Sequence, residues 1–127
     1  MRPVLPLLAA PLMLALIPAV PAAAQQVAPS PPALSLEQRM LLRCSAAFAL
    51  VAHGQAVGDP AALAWPAMGA RGREFFVRAS ARLIDEASLD RAALTAVMVQ
   101  EAQGLGDGDA LTTAMPPCLS ALEAAGL

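Results

Sequence analysis

The chain has 127 residues, and 57% are apolar against 14% charged, which suits a packed protein rather than a disordered one. Eight arginines and no lysine face ten acids, a net charge of −2. That balance excludes the strongly basic surface on which nucleic-acid binding rests, and the length allows one small domain.

Met1-Arg2-Pro3 is a short positive start, Val4 to Val20 is almost wholly apolar, and Ala22-Ala23-Ala24 puts small residues before Gln25. This is the layout of a secretory signal peptide over residues 1–24, with cleavage expected after Ala24. The rival is a retained anchor. Pro6, Pro11, Pro18 and Pro21 interrupt the apolar stretch and speak against a spanning helix. No cysteine lies near position 24, so a lipid-modified N-terminus is not offered. No second stretch is read as reaching membrane length, and no stable span is expected after cleavage. The lack of Lys and Asn fits GC-rich coding, and the expected address is the periplasm of a bacterium, or secretion. Without Arg2, seven basic residues stand against ten acids, giving −3.

Residues 25–35 hold three prolines and little bulk, a polyproline-like tether. The domain expected over 36–127 buries only about 60–65% of its unfolded surface. Its two cysteines, Cys44 and Cys118, are expected to form one disulfide, because neither redox nor zinc spacing is present.

Ser35 and Gln38 predict a capping box. Leu36, Met40, Cys44, Ala47, Phe48 and Val51 follow at helical steps, with Leu42, Ala46 and Ala49 opposite. A helix apolar on both sides is expected at the centre of the domain, with Gly54 as its stop. Asp59-Pro60 opens a short turn that Pro66 ends. Met68 to Gly72 reads as a flexible link before a helix over 73–86, with Phe76, Leu83, Ile84 and Ala87 inward. Leu89 and Leu94 flank an Asp90 cap in a hydrophobic staple, and that helix dissolves in Gly104 to Gly108. A turn over 110–115 and a last helix from Pro117 to Ala125 complete the chain. No stretch alternates like a strand. The expectation is an all-α single domain of four to five short helices, bundle-like or orthogonal, stapled by one disulfide.

The sharpest candidate for binding is the run Gly69 to Arg78. Arg71, Arg78 and Arg82 fall on one line of the helix, and Phe75 falls on the flank of that stripe. With Arg73 and the free N–H groups of a helix N-terminus, this face suits an acidic protein partner or a small anion. The plainer reading is a solvated face neutralised by Glu74 and Glu86 at four-residue spacing. Glu101 lies among Leu94, Val97, Met98 and Leu105, so it is a candidate pH-sensitive carboxylate or the partner of Arg39, Arg43 or an arginine of the next helix. His53, the only histidine, has no nucleophile or orienting carboxylate nearby in sequence. Gly106-Asp107-Gly108-Asp109 opens like a calcium loop, but Leu111 and Cys118 stand where oxygen ligands are needed, so Asp109 reads as a helix cap. No catalytic set, metal site or cofactor is expected.

The segment Gly69 to Arg78, a cysteine in the first helix and Met115-Pro116-Pro117-Cys118 near the end resemble a family of small exported two-cysteine helical proteins of alphaproteobacteria. The resemblance implies a compartment and a layout, and no activity. In size, helicity and single bridge the chain also resembles the acid-stress chaperones of the periplasm, without their lysine-rich character. The functional expectation is a non-enzymatic periplasmic interaction module using the arginine face. The alternatives are an acid-stress chaperone and a carrier of apolar ligands.

Overall fold

The computed structural model describes residues 33–127, so the leader and all but the last three residues of the tether lie outside the described residues. Five helices follow in order: α1 (Leu36–Val57), α2 (Pro60–Leu63), α3 (Gly69–Ala87), α4 (Arg91–Leu105) and α5 (Ala110–Ala124). The domain is all-α, as its periodicity requires.

α1 starts where its capping box is written. The Gln38 amide N–H donates to Ser35 Oγ at 3.1 Å, and the Ser35 N–H donates back to Gln38 Oε1 at 2.9 Å. Every residue from Cys44 to Phe48 is buried, a continuous run that only a helix enclosed by others can show. α3, α4 and α5 pack around it. By length and hydropathy α1 would pass for a membrane span, contrary to the expectation that no second stretch reaches that length. Its middle, from Cys44 to Phe48, is buried in the core, while Leu36, Met40 and Val57 are exposed.

That core has two parts. One gathers Cys44, Phe48, Val51, Met68, Phe75, Met115 and Leu122 from α1, α3, α5 and the segment before α3. The other gathers Leu42, Leu83, Leu89 and Leu94, with Leu34 packed against it. Leu89 and Leu94 meet there around Asp90, whose carboxylate accepts from the Ala93 N–H at 2.8 Å. Asp59 caps α2 through the Ala61 N–H at 2.9 Å. The Cys44–Cys118 disulfide lies inside the larger cluster and joins α1 to α5, with Cα atoms 5.1 Å apart.

Three expectations about helix ends are corrected. Gly54 does not stop α1; it is buried within it, where a Cβ would stand 2.6 Å from Ala62 Cβ. The stop is Gly58, at φ 80°. Met68 to Gly72 is not a flexible link, because α3 begins at Gly69, and Gly72 lets it approach Phe48 of α1. The last two segments are one helix, with Pro116 and Pro117 inside it. The missing N–H groups of those prolines are tolerated because Ala114, Met115, Cys118 and Leu122 hold this helix against the core on both sides of the break.

Candidate functional site

α3 carries three stripes, and their order decides what each can do. Gly72, Phe75, Ala79 and Leu83 are buried against α1. Phe75 is 4% exposed and meets the Phe48 ring edge to face at 5.2 Å between centroids. It is therefore a core residue and no part of an arginine face. Gly72 in the same stripe lets the two helices close on each other, since a Cβ there would stand 2.9 Å from Phe48 Cβ. Phe76 and Ile84, expected inside, are 39% and 45% exposed.

On one flank of the buried stripe, Arg71, Arg78 and Arg82 share a line as expected, but each has a partner within the chain. Arg71 Nη2 donates to the Leu127 main-chain oxygen at 2.6 Å. Arg78 donates to Glu74 at 2.8 Å and to the Ala125 carbonyl at 3.1 Å. Two arginines thus sit over main-chain oxygens past the end of α5, where positive charge is favoured. Arg82 binds Glu86 at 3.1 Å and Glu37 of α1 at 2.9 Å. Those hydrogen bonds, to Glu86 first, and the two negative charges raise its guanidinium above the ordinary value, so it stays cationic at every working pH. Arg73 is exposed on the other side, lining a shallow cleft with His53 and Phe76. The five residues expected to form one binding face are not brought together.

Glu101 is partly buried, and its carboxylate stands 3.5 Å from Arg43 Nη1, the pairing that its plainer reading anticipated. Asp109 occupies the N-cap of α5 but makes no side-chain capping bond. Among the described residues no three of His, Cys, Asp and Glu are grouped to hold a metal ion.

The third stripe of α3 is the one sequence reading missed. Phe76, Ser80 and Ile84 face Arg91, Leu94, Thr95, Met98, Val99 and Ala102 of α4 across a groove floored by Ala49 of α1. α3 and α4 each pack on α1 far more than on one another, so the space between their outer halves stays open. It holds about 630 Å³, within the range of ligand sites. Its lining is apolar except for Ser80, Arg91 and Thr95. Thr95 Oγ1 donates to the Arg91 carbonyl at 2.9 Å, and Ser80 Oγ is buried without a hydrogen-bond partner. A four-residue spacing of Phe76, Ser80 and Ile84 was the available signal, hidden by the assumption that the larger apolar stripe faces inward.

The groove can bind an apolar body, and nothing in its lining can exchange protons near neutral pH. No family model, curated protein or solved structure matches this chain.

Proposed function

We propose that the protein is a non-enzymatic binding module that carries an apolar ligand in the groove between α3 and α4. One observation carries this reading: Phe76, Ile84 and Val99, each between 39% and 50% exposed, converge with Met98 and Leu94 on a single concavity. Scattered exposed apolar residues are ordinary on a protein surface; convergence on a hollow of ligand size is not. The arginine face is the weaker candidate, since Phe75 is buried, Arg73 lies apart, and Arg71, Arg78 and Arg82 each have partners within the chain.

The compartment we propose is the periplasm or another exported space. The leader layout at residues 1–24 supports it, and the disulfide is compatible with it. The test is binding of an environment-sensitive apolar dye. Its fluorescence should rise on mixing with the native protein, and Phe76→Asp or Val99→Asp should lower the affinity at least about tenfold, a loss of ~1.4 kcal/mol or more. Both positions are exposed, so the melting temperature should hardly move. Dye binding that is absent, or unaffected by both substitutions, overturns the reading.

A further inference from the structure

Resting on the groove reading, we infer that the ligand is a single-chain amphiphile with an anionic head, a fatty carboxylate, seated with its head at Arg91. Arg91 is the only charged residue of the ten that line the groove. It is exposed and, like Arg39 and Arg73, which do not line the groove, has no ion-pair partner among the described residues. It is also the first residue of α4, at the corner where α3 turns into α4, so it lies at an end of the groove.

The backbone there adds to its charge. The Ala93 and Leu94 N–H groups are taken by the Asp90 side chain and carbonyl, while the first-turn N–H groups before them stay available to an anion. Asp90 opposes that attraction, but its carboxylate is bound to its own helix and does not line the groove. From Arg91 to Ala102 the wall runs twelve residues of helix, about 16 Å from first to last. Midway along the opposite wall, the orphaned Ser80 hydroxyl is the sole polar group of α3 in the lining. One charge at an end, followed by an apolar trough, matches the polarity of a fatty carboxylate. A protein partner fits less well, because a standard interface engages roughly 20–30 residues a side and this lining has ten.

Displacement of the dye by decanoate and by decanol tests the assignment. Decanoate should bind the native protein about tenfold more tightly than decanol. Arg91→Gln should abolish that preference by weakening decanoate alone, and Arg73→Gln, outside the groove, should leave it intact. Equal affinity for the two in the native protein, or a preference that survives Arg91→Gln, overturns the anionic head while the groove reading stands. Failure of both to displace a dye that Phe76→Asp does release also overturns it. Native mass spectrometry supplies a further check: a dimer dissolved by Val99→Asp, with no amphiphile bound to the monomer, would overturn it in favour of a second copy of the chain.

Discussion

Gln55 organises the passage from α2 to α3 with one side chain. Its Nε2 lies 3.1 Å from the Ala62 carbonyl, 3.1 Å from that of Trp65 and 2.9 Å from that of Pro66. Its Oε1 accepts from the Met68 N–H at 3.0 Å. The amide thus satisfies a stretch of backbone that has little ladder of its own, and Met68 is driven into the core beside it. Gln55→Ala should cost about 1–3 kcal/mol, seen as a lower urea midpoint with unchanged slope. Gln55→Glu should cost at least as much, because a carboxylate would face carbonyl oxygens it cannot serve as donor. Nothing in the sequence marked Gln55, since its partners are backbone atoms whose positions depend on the fold. Phe75 and Phe76 show the same limit. Both are equally apolar, and which is buried depends on tertiary packing, where Phe75 and not Phe76 meets the Phe48 ring.

At the scale of elements, three of the four side-chain caps read in sequence form, and Asp109 is the exception. Ser35 with Gln38, Asp59 before Pro60, and Asp90 before α4 all make their expected bonds, because capping is a contact between near neighbours. Glycine and proline misled wherever a distant contact overrode their local preference. Gly54 and Gly104 separate the two meanings. Gly104 is exposed near the end of α4 with nothing near its missing Cβ, so Gly104→Ala should stabilise by about 0.5–1 kcal/mol through helix propensity. In Gly54→Ala the same gain meets a methyl 2.6 Å from Ala62 Cβ, which has no rotamer to retreat into. Overpacking of that kind costs roughly 1–3 kcal/mol and should leave the variant less stable. Paired thermal melts check both signs, and a stabilised Gly54→Ala would mean that α2 shifts freely over α1.

Across the whole molecule, the disulfide and the groove belong to different sides of α1. Cys118 ties α5 to the centre, closing a separation of 74 residues, while no residue of α5 lines the groove. Chain entropy assigns that closure roughly 4 kcal/mol, a large share of the stability of a domain this small. α5 needs the link more than the other helices, since Pro116 and Pro117 remove two of its backbone donors. Reduction, or Cys44→Ser with Cys118→Ser, should lower the melting temperature by at least about 10 °C, taking ~2 kcal/mol as the smallest loss. Hydrogen exchange in the reduced protein should accelerate first at the backbone amides of α5. Below its new midpoint the reduced protein should still bind the apolar dye, because α1, α3 and α4 retain the second cluster of Leu42, Leu83, Leu89 and Leu94. If dye binding and α5 protection vanish together at low temperature, the domain is a single cooperative unit and the groove has no independence from the bridge.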